Sequence, residues 1–289
     1  MQGTPHSNRI ERMQGKGGMS WLRLAHASGY SVVVSEYGAH VLSWQDPTGQ
    51  ELLFVSEGAF YEPGKPIRGG IPLVFPQFGK GKLSQHGFAR VSTWKVIREQ
   101  VSTNGAVSVT LRLVPDNTIS TVWPHSFILE LEVVLTDVLL TTLRVENTGA
   151  QEFQFTSALH TYFRTSDIAG VEVQGLEGTE FVDFLNQRKV SLETRSEIQI
   201  DGPVDRAYQD SPPTISILSK GDRRRYSVTK EGFSDTVVWN PWIETAKTIA
   251  DFLPNEYTQM ICVESGNVLT PISLPAGEVH TSAQILRAE

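Results

Sequence analysis

Phe127-Ile128-Leu129-Glu130-Leu131-Glu132-Val133-Val134-Leu135 is the stretch that decides the fold class. Phe127, Leu129, Leu131, Val133 and Leu135 fall at every second position, and Glu130 and Glu132 stand between them. A period of two sends one set of side chains to a core and the other to solvent, as in half-buried antiparallel strands. The pattern continues outward. Val107, Val109, Leu111 and Leu113 alternate with Ser108, Thr110 and Arg112, and Val279, Thr281, Ala283 and Ile285 alternate with His280, Ser282 and Gln284. Shorter strands are predicted over Ser31–Ser35, Val41–Trp44, Glu51–Val55, Thr93–Arg98, Leu140–Glu146, Phe153–Leu159, Thr214–Leu218, Tyr226–Thr229, Thr236–Asn240 and Gln259–Glu264. Turn-forming groups punctuate them, among them Asp46-Pro47-Thr48-Gly49, Asn104-Gly105 and Asp201-Gly202-Pro203. Helical periodicity is scarce, with Ile243–Phe252 the best short candidate. Many strands, regular turns and few helices predict an all-β, sandwich-like architecture.

The chain has 289 residues, 39% of them hydrophobic, which is enough to bury a large core. Residues 1–18 are rich in Gly, Gln and Arg and read as a flexible extension. No Pro/Ser-rich linker or internal repeat divides residues 19–289, so one domain is expected there. The net charge is -7, which argues against general nucleic-acid binding but leaves room for a phosphorylated ligand held by a few arginines. The first twenty residues lack the apolar core of a signal peptide. The most apolar stretch, Val133–Val145, is too short and too polar to span a bilayer. The single cysteine, Cys262, sits in an apolar run and reads as a buried structural thiol, and the chain has no Asn-x-Ser/Thr acceptor. Both suit a reducing cytoplasmic setting. No membrane association is expected, and a monomer is the default expectation.

Several motifs are missing. Gly79-Lys80-Gly81-Lys82 lacks the upstream glycine and the closing Ser/Thr of a phosphate-binding loop, no Gly-x-Gly-x-x-Gly follows a strand, and the seven histidines are scattered. No metal and no cofactor is expected. Five segments carry polar chemistry in awkward places. Ile67-Arg68-Gly69-Gly70-Ile71-Pro72 combines an arginine with paired glycines, which suits either a close approach to a ligand or a strained connection. Gln85-His86-Gly87-Phe88-Ala89-Arg90 sets an amide, an imidazole and a guanidinium around a glycine, as a binding loop or a polar turn. His160, embedded in Ser157-Ala158-Leu159-His160-Thr161-Tyr162-Phe163, is either a core histidine or a poised acid/base. Val238-Trp239-Asn240-Pro241-Trp242 is either an aromatic wall for a sugar or core. In Met260-Ile261-Cys262-Val263-Glu264 an apolar strand ends on a carboxylate that either reaches solvent or has a task.

Taken in order, these segments, together with Gly38-Ala39-His40-Val41-Leu42-Ser43-Trp44, resemble the aldose 1-epimerase (galactose mutarotase-like) superfamily. Arg68-Gly69-Gly70-Ile71-Pro72 with Gln85-His86-Gly87-Phe88-Ala89-Arg90 is most similar to its hexose-6-phosphate mutarotase branch, the glucose-6-phosphate 1-epimerases. The resemblance spans most of residues 30–285, leaves residues 1–18 outside, and is poorly anchored over residues 179–200. It implies a large, twisted antiparallel β-sandwich, the galactose mutarotase-like supersandwich, with few short helices and a concave sugar-binding face. It also implies His160 as acid and Glu264 as base in a cofactor-free anomer exchange. Substrate contacts carried over fall on Arg68, Gln85, Arg90 and Asp205, the last from Pro203-Val204-Asp205-Arg206, with His86 a secondary candidate. The chemistry calls for ionised Glu264 and protonated His160, a charge state that a neighbouring carboxylate would favour. The implied partner is a hexose 6-phosphate. A non-catalytic carbohydrate-binding sandwich and a glycosidase using Asp205 and Glu264 as paired carboxylates are the competing functions.

Overall fold

A computed structural model describes residues 7–289. Three antiparallel sheets make up nearly all of the regular structure. The nine-stranded sheet contains the alternating runs. Its central strands Val107–Leu113, Phe127–Leu135, Leu139–Asn147 and Val279–Ala288 lie side by side, and their inward residues bury almost completely. The eight-stranded sheet holds Val204–Tyr208, Asp235–Asn240, Met260–Leu274 and Phe153–Leu159 as neighbours, with Tyr162–Arg164 also paired to Met260–Leu274. A four-stranded sheet covers Arg9–Gln14, Ser20–Ala25, Ser31–Ser35 and His40–Gln45. One buried apolar cluster joins all three sheets, running from Leu22 to Leu286 through Trp44, Phe75, Leu131 and Phe163. This is the twisted β-sandwich with few helices; the only α-helices among the described residues are Asn117–Val122 and Trp242–Ala246.

Four expectations need correction. Arg9–Gln14 is no extension: it pairs with Ser20–Ala25 over six residues, and its polar composition reflects an exposed edge strand. Residues 1–6 of the expected extension lie outside the described residues. Glu51–Val55 forms isolated bridges to three different partners, Gln45, Phe163 and Gly69, and no continuous ladder. The helix expected over Ile243–Phe252 stops at Ala246, and the chain turns so that Asp251 faces inward. The strand expected to end at Glu264 runs on to Leu274, which places Glu264 within the sheet.

Strand register builds the floor of the site. Asp205 lies opposite Trp239, Trp239 opposite Cys262, and Cys262 opposite Tyr162, so one transverse row crosses four strands. In the next row on that face Ala207 lies opposite Val237, and Val237 opposite Glu264. Cross-strand partners share a face, so Val237 is the strand neighbour of the carboxylate. Ser265, the next residue along, points to the other face and meets the nine-stranded sheet, where its hydroxyl donates to Gln284 Oε1 at 3.0 Å.

Candidate active site

The face of the eight-stranded sheet turned away from the nine-stranded one carries a cavity of about 590 Å³. Arg68, Gln85, His86, His160, Asp205 and Glu264 all line it, so six of the seven candidate site residues converge from five separate segments. Arg90, the seventh, is not on the wall. It stands behind the loop, donating from Nη2 to the Gln85 carbonyl at 2.6 Å, and its buried Nε has no partner among the described residues. Trp239 lines the cavity too, whereas Trp242 packs on Tyr257 away from it, with ring centroids 5.3 Å apart.

His160 follows the strand Phe153–Leu159 and is anchored by its N–H to the Pro72 carbonyl at 3.0 Å. Its ring stacks on Tyr162 (4.8 Å, 12° between planes) and meets Trp239 edge-on at 6.0 Å. Its Nε2 lies 3.3 Å from Glu264 Oε1. Among the described residues, Glu264 Oε2 and His160 Nδ1 are buried without hydrogen-bond partners, an uncommon state for polar atoms in a folded protein. Beneath the pair, the Gln284 amide reaches from the nine-stranded sheet. It donates to Thr161 Oγ1 at 2.9 Å and accepts from Ser265, so one buried side chain ties the residues next to His160 and Glu264 together.

Burial controls the charge of this pair. It pushes the His160 imidazole well below its ordinary value, helped by His86, Arg90 and Arg68. It pushes the Glu264 carboxyl well above its ordinary value, helped by Asp205 and opposed by Arg90. Both shifts run toward neutral imidazole beside protonated carboxyl. Desolvation thus opposes the ionic pair that the chemistry calls for. Asp205 rises to about 6 through burial and the neighbouring Asp183.

Arg68 is held rigidly. Its Nε and Nη2 donate to Asp251 Oδ1 at 3.2 and 3.0 Å, and its Nη1 donates to Tyr162 Oη at 3.2 Å. A guanidinium has five N–H donors, which leaves two for the cavity. The paired glycines beside it serve backbone packing rather than a ligand. Gly70 has φ +65°, and a Cβ there would lie 2.2 Å from the Val41 carbonyl oxygen. His40, buried, donates from Nε2 to the Gly69 carbonyl at 2.7 Å and fixes the same loop. His86 adopts φ +65°, a conformation that costs a non-glycine residue energy. Its Nδ1 accepts from the Gly79 N–H at 3.3 Å, and burial lowers the ring to about 3. His86 is thus a neutral imidazole with its proton on Nε2, a fixed donor whose ring centroid is 5.6 Å from that of His160.

Sequence reasoning missed Asp251, which pairs with a residue 183 positions away. It also missed Gln284, which looked like the polar side of an alternating strand. Lys80, Phe184 and Arg188 complete the cavity wall. Lys80 stands in the sequence within an incomplete phosphate-loop motif, and Arg188 falls in the poorly anchored region.

The aldose 1-epimerase family model matches residues 20–287. A protein of Cenchrus ciliaris named "Putative glucose-6-phosphate 1-epimerase" is 42% identical over 251 residues, covering 84% of this chain and 76% of that one. A protein of the same name from Escherichia coli K12 is 32% identical, covering 79% and 76%. The crystal structure of a "putative mutarotase" from Salmonella typhimurium superposes with a TM-score of 0.89 at 27% identity, covering 99% of this chain and 95% of that one.

Proposed function

Because this chain belongs to the aldose 1-epimerase family, we propose that it interconverts the α and β anomers of hexose 6-phosphates, glucose 6-phosphate foremost, with His160 and Glu264 handling the protons. The observation that carries this is the buried contact of 3.3 Å between His160 Nε2 and Glu264 Oε1 on the cavity wall. Ring opening needs a base at the O1 hydroxyl and an acid at the ring oxygen O5. The pair holds one proton between them. With no ligand that proton rests on Glu264. A bound pyranose donates its O1–H to the carboxylate and accepts at O5 from the imidazolium. Hydrogen bonds to the charged forms favour them, so binding draws the proton across to His160.

Glu264 then removes the O1 proton while His160 protonates O5. The C1–O5 bond breaks and a C1=O1 aldehyde forms. Rotation about C1–C2 presents the other carbonyl face. His160 takes back the O5 proton as O5 attacks C1, and Glu264 returns its proton to O1. Nothing is oxidised or reduced. General acid–base assistance contributes about 10²–10⁴-fold, and fixed orientation adds to it. His86 Nε2–H donates to a sugar oxygen, Asp205 and Gln85 engage ring hydroxyls, and Trp239 supplies an apolar wall. The two free N–H groups of Arg68, with Arg90 behind them, take the 6-phosphate through charge-assisted contacts. The buried lone thiol of Cys262 accords with a reducing, cytosolic setting.

Saturation-transfer NMR on glucose 6-phosphate tests the assignment. The native chain should exchange the anomeric resonances far faster than buffer, and Glu264→Gln should lose at least ~100-fold with an unchanged fold. Exchange by the variant within threefold of native would remove Glu264 as the base. Binding without any accelerated exchange would make the protein a carbohydrate-binding module.

A further inference from the structure

The Arg68 charge is already matched by Asp251 at 3.0 Å. On the cavity wall itself a phosphate dianion therefore meets little net positive charge, since Asp205 is there too, and Arg90 stands behind that wall. The compensating charge is at the mouth. Lys80 and Arg188 line the cavity from two different loops, both are exposed, and neither has a carboxylate within ion-pair distance among the described residues. The loops meet across the cavity. Phe78, two residues before Lys80, faces Phe184 with ring centroids 6.4 Å apart, and the Arg188 guanidinium lies 4.9 Å over the Phe184 ring. The turn that presents Arg188 is well defined. Gln187 and Arg188 adopt φ +51° and +59°, and the Lys189 N–H donates to the Asn186 carbonyl at 2.9 Å. Residues 76–98 contain no Asp or Glu, nor do residues 184–192, although the chain as a whole has a net charge of -7. Two acid-free loops with unpaired cations on the rim of one cavity form a local positive field on an acidic protein.

We propose that Lys80 and Arg188 form a cationic collar that captures the phosphate of the incoming sugar phosphate and so sets the preference for phosphorylated over free hexose. This rests on the hexose 6-phosphate reading of the site and adds to it where the discrimination arises: at association, ahead of the contacts with Arg68. Fields from charges flanking a cleft raise association rates by about 10–10³-fold and weaken with ionic strength. The screening length shrinks from about 10 Å at 0.1 M salt to about 3 Å at 1 M.

The test measures kcat/KM for anomer exchange of glucose 6-phosphate and of glucose at 20 mM and 500 mM salt. It compares the native chain, Lys80→Ala with Arg188→Ala, and the charge-keeping Lys80→Arg with Arg188→Lys. The double alanine variant should lose about tenfold on glucose 6-phosphate at low salt and under threefold at high salt. It should lose under twofold on glucose, and the charge-keeping variant should retain most of the native value. Equal losses on both sugars, a loss independent of salt, or no loss at all would each overturn the collar. A native chain that exchanges glucose but not glucose 6-phosphate would instead refute the underlying substrate reading.

Discussion

Asp205→Asn should make this protein more stable and less active, with a pH dependence that identifies the cause. The Asp205 carboxylate lines the cavity, accepts no hydrogen bond from the described residues, and is raised from 3.8 to about 6 by burial and by Asp183. Below pH 3.8 the group is protonated whether the chain is folded or unfolded, and its ionisation has no effect on stability. As the pH rises through 3.8 and then about 6, the unfolded chain ionises first, and the folded state is progressively disfavoured. One unit of pKa corresponds to about 1.4 kcal/mol, so ionised Asp205 costs the folded state about 3 kcal/mol above pH 7. Asparagine keeps the shape and removes the charge. Urea unfolding followed by tryptophan fluorescence should show the variant about 3 kcal/mol more stable at pH 8 and within about 1 kcal/mol of native at pH 4. Because a hydrogen bond to a charged group is worth about 1.5–3 kcal/mol, kcat/KM should fall by roughly 10–100-fold. A variant that is less stable at pH 8, or equally shifted at both pH values, would refute the claim that burial of this carboxylate is the source of strain.

Three further outcomes follow from the packing. Arg68→Ala strands the Asp251 carboxylate, which is 8% exposed, and should cost about 3 kcal/mol; adding Asp251→Ala should restore most of that in thermal unfolding, and equal losses in single and double variants would contradict the pairing. Gln284→Leu leaves the Thr161 and Ser265 hydroxyls without their shared partner; it should cost about 2 kcal/mol and lower kcat more than it alters KM, since it loosens the residues beside His160 and Glu264. Gly87 has φ +72°, and a Cβ would lie 2.1 Å from the Phe75 carbonyl oxygen, so Gly87→Ala should destabilise by about 2 kcal/mol and raise KM by displacing His86; native stability in calorimetry would show the loop to be tolerant.

The strands that alternate cleanly were legible. Phe127–Leu135, Ser31–Ser35 and Phe153–Leu159 have the limits their patterns suggested, because one face of each meets the core. Arg9–Gln14 and Lys189–Leu192 were not legible: both are largely exposed edge strands, the first without apolar alternation and the second a short one whose alternating Val190 and Leu192 are exposed. His160 and Glu264 were ambiguous as single residues, and only the ordered set of flanking segments singled them out. Their resting charge was beyond reach, since it depends on burial from every side. The Arg68–Asp251 pair and the Gln284 bridge join positions 183, 123 and 19 residues apart, and local patterns carry no trace of such contacts.

The central claim is anomer exchange on phosphorylated sugar, and the most direct measurement is the catalysed exchange rate of glucose 6-phosphate beside that of glucose under identical conditions by NMR. Both anomers of glucose 6-phosphate should exchange rapidly, with a kcat/KM at least tenfold higher than for glucose. Exchange of glucose 6-phosphate no faster than in buffer would contradict the claim.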